Sequence, residues 1–415
     1  MKRYWKLILL VTVIILTFSS FYIHSSLAIS KLPKFTLKHL SGDQEEVKPL
    51  IINGAYEDDK REAYLHINYE GSNYEGNLSY IDMLKDDHLS PQVKKLQKKY
   101  RSFMRDKQEH MDVFLDHDDI LIYANVDMDF KYNGGNVSNS FTFEIETLDK
   151  QTKKKEKFTT EVPKQHNYDY VFVQDVQQTK DGQLKVITRN ATFPGQADEM
   201  SYYYTFEEMH VYTFDLQKQR LKNDEVIKVT DDEDWTDDLI VDVFILSSDN
   251  DIKPKKYIVF DHAVKKAKMQ EDGFMEEELL TNDLIVYEIE TDGQRKLDLP
   301  DEIDKNFVPI LYTEPTIIFE KYESNQYEVI KYNIINEEIE LKQTIDLKTE
   351  KNEAYPLFQI SDDKIYIVSS EEKDSYVQIV DMYTGEFIYE GKIEIEENGH
   401  EDNYKLELYN IDITK

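Results

Sequence analysis

The chain of 415 residues has no cysteine, and this absence excludes several kinds of site. Without thiols there can be no disulfide, no thiolate metal site, no cysteine nucleophile and no lipid-modified N-terminal cysteine. Exported vertebrate domains commonly carry disulfides. If the chain is exported, a Gram-positive bacterial exterior is therefore the compartment that we expect.

Glycine, proline and catalytic motifs are also scarce. With 13 Gly and 10 Pro thinly spread, no flexible linker divides the chain after residue 31. The sequence has no nucleophile elbow, P-loop, dinucleotide fingerprint or zinc-protease helix. Ten histidines are scattered, and we expect His210 and His262 to be ordinary strand or loop residues. We therefore predict no catalytic residue and do not favour an enzyme.

Basic residues are outnumbered by acidic ones. The chain has 50 basic and 83 acidic residues, and its formal net charge is −33. So acidic a chain repels nucleic acid, which we exclude as a partner, and attracts cations or basic surfaces. Hydrophobic residues still make up 40% of the sequence and aromatic residues 12%. This is enough to bury a core, and the abundant Tyr, Phe, Ile and Val favour strands.

One long uncharged stretch follows the basic start of the chain. The segment Leu7–Ser30 contains no Lys, Arg, Asp or Glu, and it is long enough for a helix that crosses a membrane. The three basic residues before it favour an N-terminus that stays inside the cell. We expect residues 1–30 to be a membrane anchor or signal segment, with the rest of the chain outside the cytoplasm.

Two outcomes of export remain open. Without cleavage, the chain is a single-pass cell-membrane protein whose C-terminal domain is extracytoplasmic. Alternatively, Ser26-Leu27-Ala28 offers the small residues of a signal-peptidase site, and cleavage near Ala28 gives a secreted protein. In the first case, residues 31–48 are expected to be a juxtamembrane stalk.

One amphipathic helix is predicted near residues 90–107. Ser90 is a good N-cap and Pro91 fits the first helical position. Apolar residues then recur on one face at three- and four-residue spacing. They are Val93, Leu96, Tyr100, Phe103 and Met104.

Most of the remaining sequence alternates with period two, which predicts strands separated by acidic or glycine-bearing turns. In the clearest unit, Gly385 suits a left-handed turn position, and Asp381 and Thr384 are able to bond the backbone of that turn. This unit consists of the turn 361–364, the strands 365–368 and 377–380, the turn 381–386 and the strand 387–390.

The same unit resembles one blade of a bacterial β-propeller, in which S-x-D precedes a hydrophobic run and D-x-x-T-G follows one. Weaker copies of this unit precede it, and the gaps between successive turns are 66, 77, 44 and 47 residues. Only the last two gaps fit a blade period of about 40–50 residues. The resemblance implies a mainly all-β, β-propeller-like array of small antiparallel sheets. A sandwich or two stacked β-domains are the alternatives. The turns lie at Asp149, Asp215, Asp292, Asn336 and Tyr383.

Closure of such an array pairs the two ends of the chain in one sheet. We expect Leu50-Ile51-Ile52, or the strand at residues 64–67, to complete the sheet begun by residues 404–409. Residues 49–415 are then one β-propeller-like extracytoplasmic domain.

Acidic clusters are the remaining candidates for a metal site. Residues 231–238 hold six carboxylates, and calcium takes about six to eight oxygen ligands. The alternating D-x-D-x-D-G pattern of a preformed calcium loop is missing. A solvated loop is therefore favoured over calcium, and no other cofactor is expected. The candidate ligands are Asp231, Asp232, Asp234, Asp237 and Asp238.

The predicted helix is unusually basic for this chain. Asp106 is its only acid, and Lys107 is expected to face outward with the other cations. Such a helix either docks on an anionic partner, a lipid headgroup layer or an acidic protein segment, or it pairs with acids nearby. The candidate contact residues are Lys94, Lys95, Lys98, Lys99, Arg101 and Arg105.

Two functions of different classes follow. The first is a non-enzymatic, membrane-tethered extracytoplasmic interaction module that partners a membrane protein or cell-envelope complex, with propeller loops as the binding face. The second is a ligand-binding or hydrolytic propeller that acts on cell-wall sugars or peptides, with or without calcium. The first is favoured because enzymes of this size usually carry a recognisable motif.

Overall fold

The structure is a computed structural model. The described N-terminal residues, 5–6, 9–14 and 16–17, are helical, and no helix in the described part of the chain is both long and apolar enough to cross a membrane. Most of the predicted export segment Leu7–Ser30, with its site at Ala28, lies outside the described residues. The structure describes residues 5–6, 9–14, 16–17, 32–58, 61–75, 90–108, 110–133, 136–192, 206–227, 239–246, 252–269, 275–347, 355–371, 374–396 and 404–414.

Strands dominate the described chain, and they form six small antiparallel sheets. The prediction of an all-β, β-propeller-like array is confirmed. In chain order the strands are β1 (Phe35–Gly42), β2 (Leu50–Asp58), β3 (Arg61–Asn68), β4 (Gly71–Tyr74), β5 (Phe114–Asp116), β6 (Ile120–Asn133), β7 (Asn136–Asp149), β8 (Lys155–Glu161), β9 (Tyr170–Gln178), β10 (Leu184–Thr192), β11 (Phe206–Asp215), β12 (Arg220–Ile227), β13 (Leu239–Ile245), β14 (Tyr257–Met269), β15 (Met275–Glu288), β16 (Gly293–Lys296), β17 (Val308–Thr313), β18 (Thr316–Glu323), β19 (Gln326–Asn333), β20 (Glu338–Asp346), β21 (Leu357–Ser361), β22 (Lys364–Glu371), β23 (Asp374–Asp381), β24 (Phe387–Ile395) and β25 (Tyr404–Ile413).

Four of the sheets are simple meanders, in which each strand pairs with its neighbours in the chain. Consecutive pairing needs only hairpin connections, which the turn-rich sequence supplies. The paired register is regular over long stretches, for example between β10 and β11, where nine consecutive residue pairs follow without a shift. The four meanders are β5-β6-β7-β8, β9-β10-β11-β12, β13-β14-β15-β16 and β17-β18-β19-β20.

The two ends of the chain meet in one sheet, as the sequence predicted. β25 pairs antiparallel with β2 along the whole of β2, in the order β25-β2-β3-β4. Of the two candidate partners, the strand with Leu50-Ile51-Ile52 is therefore the neighbour, and residues 64–67 lie one strand further on. Gly54 is needed at a register shift in this pair, because a Cβ there would lie 2.7 Å from the backbone oxygen of Glu407.

Residues 31–48 contain a sheet strand where the sequence predicted a stalk. β1 pairs with β24 and adds a fifth strand to the sheet β24-β23-β22-β21. The reason is a buried aromatic side chain, because Phe35 is only 1% exposed and its ring lies 6.3 Å from that of Tyr56. An ion pair of Lys38 with Glu394, at 3.0 Å, joins the same two strands. The stalk prediction is thus wrong for residues 35–42.

The chain divides into two compact units. The first comprises Met1–Asp87, Tyr322–Val329 and Leu341–Lys415, and the second comprises His88–Lys321 and Ile330–Glu340. The first holds the sheets that contain both ends of the chain. The second holds the three meanders formed by β5 to β16. No linker composition in the sequence marks either division.

A five-residue turn recurs where the third strand of a sheet leads into the fourth. In four copies the first residue is Asp or Asn, and its side-chain oxygen accepts backbone N–H groups at 2.7–3.3 Å. These hydrogen bonds lower the pKa values of the three aspartates concerned. The first residues are Asp149, Asp215, Glu288, Asn333 and Asp381. The fifth residues, all with positive φ, are Lys153, Gln219, Asp292, Glu337 and Gly385.

The predicted helix is present but interrupted. α1 (Pro91–Lys99) begins at the N-cap Ser90, whose hydroxyl accepts the Val93 N–H at 3.2 Å. Tyr100, with φ −126° and ψ 43°, separates it from the single turn α2 (Arg101–Met104). The predicted apolar face is confirmed, since all five of its residues are buried in one core cluster with β5, β6, β7, β9, β10 and β11.

Candidate interaction surface

The predicted contact residues lie on the outer side of α1 and α2. Lys98 and Lys99 occupy the last turn of α1, where the helix dipole favours cations. The Lys99 Nζ lies 5.0 Å from the centre of the Tyr100 ring, and a hydrogen bond to the Tyr100 hydroxyl raises the pKa of Lys99. Lys94 is half-buried. The exposed members are Lys95, Lys98, Lys99, Arg101 and Arg105.

The turn between β7 and β8 adds two more lysines to the positively charged surface, and the sequence did not predict this. The Lys153 Nζ lies 5.6 Å from the Tyr100 ring, and the Lys155 Nζ donates a hydrogen bond to the Ser102 carbonyl. Both lysines are exposed. The Lys-Lys-Lys run of this turn was a visible signal, but only the fold brings it beside α1. The basic surface is defined here as Lys94, Lys95, Lys98, Lys99, Arg101, Arg105, Lys153 and Lys155.

Half of this charge has no acidic partner among the described residues. Within the described ranges, no ion pair joins Lys95, Lys98, Arg101 or Arg105 to a carboxylate. Lys154, by contrast, pairs with Glu156 at 2.6 Å. Pairing with the described acids therefore does not account for these four cations, and their role as contact residues stays a prediction.

Lys107 does not belong to the basic surface, and its predicted outward orientation is wrong. Its side chain is 5% exposed, and its Nζ lies 2.5 Å from Glu146 Oε2. The ring centres of Phe103 and Tyr123 are 4.5 and 4.7 Å from the same ammonium. The helix ends at Met104, so the chain turns toward the sheet and the cation gains an ion pair and two cation–π contacts.

The calcium prediction falls outside the described residues. Asp231, Asp232, Asp234, Asp237 and Asp238 all belong to the range 228–238, which the structure does not describe. Elsewhere, in the ranges that are described, no group of three or more His, Asp or Glu side chains is arranged to hold a metal ion. The calcium hypothesis therefore stays a prediction.

His210, on β11, is the centre of a buried polar cluster. Its Nδ1 lies 2.7 Å from Asp224, and its Nε2 lies 3.2 Å from Glu208 and 3.1 Å from the Tyr168 hydroxyl. Burial lowers the pKa of His210, but the hydrogen bonds to both carboxylates outweigh it and the net pKa is raised. Burial also raises the pKa of Tyr168 to about 12. The alternation of Glu208, His210 and Tyr212 along one strand was the sequence signal.

This cluster is better suited to holding the sheet together than to catalysis. His210 is only 2% exposed and its ring stacks on Tyr212 at 5.3 Å, so no face of the imidazole is open to a substrate. His262, on β14, is also buried, and burial lowers its pKa. The sequence predicted ordinary strand or loop residues, and the structure places both histidines on strands.

A buried lysine joins two neighbouring sheets. Lys185, on β10, is 2% exposed, and its Nζ donates hydrogen bonds to the Tyr287 hydroxyl at 2.9 Å and to the Asp292 carboxylate. Burial raises the pKa of Tyr287, which keeps the phenol protonated. Although burial opposes it, bonding to Lys185 and Tyr287 lowers the pKa of Asp292. The three side chains bond to one another across the two sheets, so this group also has a structural role.

Neither a protein-family model nor a curated protein matches this chain. Solved β-propellers are similar to it. TolB from Acinetobacter baumannii is 10% identical, with 92% of this chain and 84% of that protein covered and a TM-score of 0.24. The β-propeller domain of the Trilobed protease from Pyrococcus furiosus is 12% identical, with 86% and 97% covered and a TM-score of 0.25. TM-scores this low support no inference about function.

The basic surface is therefore judged on its own chemistry. Lysine and arginine donate charge-assisted hydrogen bonds to carboxylates and phosphates. The eight cations of the basic surface are therefore chemically suited to an anionic ligand.

Proposed function

We propose that the protein is a non-enzymatic interaction module that docks an acidic segment of a partner protein on the basic surface. The supporting observation is the collection of eight cations on α1, α2 and the β7–β8 turn, in a chain whose formal net charge is −33. An acidic segment is attracted to this surface and repelled by most of the remaining chain. Such a charge pattern fixes where and in which orientation the partner binds.

The proposed place of docking is the outer face of the cell membrane. The support comes from the sequence, in which the uncharged segment Leu7–Ser30 follows three basic residues. The partner is then a membrane protein or a cell-envelope complex with an exposed acidic segment. Tethering would keep the partner close, and a weak charged contact would be sufficient for association.

Site-specific crosslinking in intact cells tests the proposal. A photo-crosslinking residue is placed at Lys98 of the full chain, and a matched variant carries it at Lys342, which is exposed and lies outside the basic surface. We expect a covalent product with another protein from position 98 and none from position 342. The crosslinked peptide of that protein is expected to be rich in Asp and Glu.

Charge reversal gives the complementary measurement. The triple change Lys95→Glu, Lys98→Glu and Lys99→Glu is expected to weaken association at least tenfold, and raised salt is expected to weaken the wild-type complex. Equal binding by both triple variants would overturn the proposal. If the wild-type protein bound protein-free anionic vesicles with the same affinity, the partner would be a lipid surface and not a protein. The matched control variant is Lys180→Glu, Lys218→Glu and Lys342→Glu, all at exposed positions.

A further inference from the structure

An apolar cavity lies between β15 and the first strands of the following sheet, within the second unit. Its volume is about 260 Å³. Four of its lining residues, Leu284, Ile303, Phe307 and Phe319, are each at most 7% exposed and belong to one core cluster. The cavity is therefore a gap in an otherwise packed apolar core, and it opens to solvent. Small-molecule sites have this mainly apolar lining with few polar groups.

The mouth of the cavity exposes two consecutive leucines. Leu279 and Leu280, both on β15, line the cavity and are 46% and 48% exposed. The next two residues along the strand, Thr281 and Asn282, supply a polar part of the same wall. Exposed apolar side chains beside a cavity indicate a surface that is covered when a ligand is bound.

Lys305 is a cation at the mouth of the cavity. Lys305 lines the cavity and is exposed, and it forms no ion pair within the described residues. The carboxylate of the neighbouring Asp304 already has two other partners. It accepts the Asn306 N–H at 2.8 Å and lies 3.9 Å from the Lys321 Nζ. The mouth thus offers a positive charge beside an apolar interior, in a chain that is otherwise strongly acidic.

We propose that this cavity binds the hydrocarbon chain of a single-chain carboxylate, with the carboxylate paired to Lys305. The volume clearly exceeds that of an engineered apolar cavity of about 150 Å³ that binds benzene, so several methylene groups fit inside. The charge at the mouth selects an anionic headgroup, and the Thr281 hydroxyl offers an additional hydrogen-bond donor. This site shares no residue with the basic surface, so its failure would leave the docking proposal untouched.

Binding of a homologous series to the full chain tests the cavity. Hexanoate, octanoate and decanoate are titrated by calorimetry below their micelle concentrations. We expect affinity to rise about fourfold for each methylene group that becomes buried, until the cavity is full. Decyltrimethylammonium, which has the same tail and the opposite charge, is expected to bind at least tenfold more weakly than decanoate.

Two variants separate the tail site from the headgroup site. Thr281→Trp, at an exposed position of the mouth, is expected to abolish decanoate binding. Lys305→Glu is expected to weaken it at least tenfold, whereas the matched change Lys342→Glu, outside the cavity, leaves it within twofold. If Thr281→Trp does not fold, the two lysine variants still decide the outcome. Affinity that is independent of chain length, equal binding of the ammonium probe, or equal effects of both lysine changes would each overturn the proposal.

Discussion

Lys107 and the exposed lysines of α1 show how one residue type takes two roles within a short segment. Lys95, Lys98 and Lys99 of α1 are exposed. Lys107, in contrast, lies in a nearly closed site formed by Phe103, Tyr123 and Glu146. Periodicity correctly identified the apolar face. It could not identify Lys107, because the end of the helix at Met104 depends on packing against the sheet.

Replacing Lys107 by Met tests the energetic role of the buried ammonium. The aliphatic stem is kept while the ion pair with Glu146 is lost. Lys157 remains 3.2 Å from Glu146, so the carboxylate is not left alone. We therefore expect a loss of about 2 kcal/mol in the free energy of unfolding, less than for a fully isolated buried charge. Urea denaturation measures the change.

Lys157→Met is the matched control, because Lys157 pairs with the same carboxylate but is 51% exposed. We expect it to cost less than about 1 kcal/mol. Equal losses in the two variants would contradict the assigned role. Both lysines together outweigh the effect of burial and lower the pKa of Glu146. The stabilisation is therefore present above its ordinary pKa and is lost as the pH falls through the native pKa.

His210 is expected to make stability depend on pH in the opposite sense. The groups that face it are Glu208, Asp224, Tyr168 and Tyr212, and the net pKa of the imidazole is raised. The stabilisation is complete below the ordinary pKa of about 6.5 and is lost as the pH rises through the native value. At high pH the neutral ring no longer offsets the two nearby carboxylates.

Urea unfolding of the wild-type protein and His210→Gln, between about pH 5.5 and 9, measures this effect. We expect the stability difference in favour of the wild type to be largest at the acid end and to shrink as the pH rises. His262→Gln is the control, because His262 is also buried but its pKa is lowered. A difference for His210→Gln that stays constant with pH would show that the ring is neutral throughout.

At the scale of elements, the hairpin turns determined how much of the fold was predictable. Asp381 and Gly385 make the last turn recognisable in the sequence. The strands around it were predicted in the right places but at about half their observed length. In the other four turns of this type the positive-φ position holds Lys, Gln, Asp or Glu, so the glycine signal is missing. In three of those four turns the recurring feature is the Asp or Asn at the first position, whereas the fourth begins with Glu288.

Long strands explain one of the two wide gaps between turns. β14 has 13 residues and β15 has 14, and both lie in the gap of 77 residues between Asp215 and Asp292. The gap of 66 residues between Asp149 and Asp215 holds only shorter strands, and it includes residues 193–205, which the structure does not describe. Pattern reasoning finds the strand type but not the strand length, because length depends on pairing with a partner.

Gly385→Ala tests the turn. Gly385 has φ +71°, and an added Cβ would collide with the side-chain amide of Gln343. We expect a loss of about 1–2 kcal/mol from the left-handed conformation, and more if Gln343 does not move aside. Gly182→Ala separates the two causes, because Gly182 has φ +83° and no atom within 4 Å of the added Cβ. The loss of stability in Gly182→Ala, measured by thermal unfolding, is expected to be smaller than the loss in Gly385→Ala.

At the scale of the whole molecule, closure by the terminal strands was the one long-range pairing that the sequence predicted. It is confirmed by the antiparallel pairing of β25 with β2. The parallel expectation of a stalk failed at β1, since Phe35 is a single aromatic residue and gives no strand pattern on its own. Six of the eight residues of the basic surface were predicted, because they lie in one local segment, whereas Lys153 and Lys155 of the β7–β8 turn join them only after folding.

Ile411→Asp tests the closing strand. Ile411, on β25, is 4% exposed, and a carboxylate there would lie in the apolar core formed with β2 and β3. We expect a loss of about 3 kcal/mol in the free energy of unfolding. Glu407→Gln, on the same strand with a side chain 62% exposed, is expected to change stability by less than about 0.5 kcal/mol. Similar effects of both changes would show that β25 is not required for the fold.

The proposed anchor is tested by fractionating cells that express the full chain. We expect the protein at full length in the membrane pellet after an alkaline wash, because the uncharged segment Leu7–Ser30 provides enough apolar length to span the bilayer. Val13→Arg places a charge in that segment, which costs about 2.5–3.5 kcal/mol near the helix centre. It is expected to release part of the protein, whereas Ser41→Arg, in β1, leaves the distribution unchanged. A shortened protein in the medium that begins after Ala28 would favour the secreted alternative. Full-length protein in the cytosol would contradict both, because the acidic chain would then never meet a partner outside the cell.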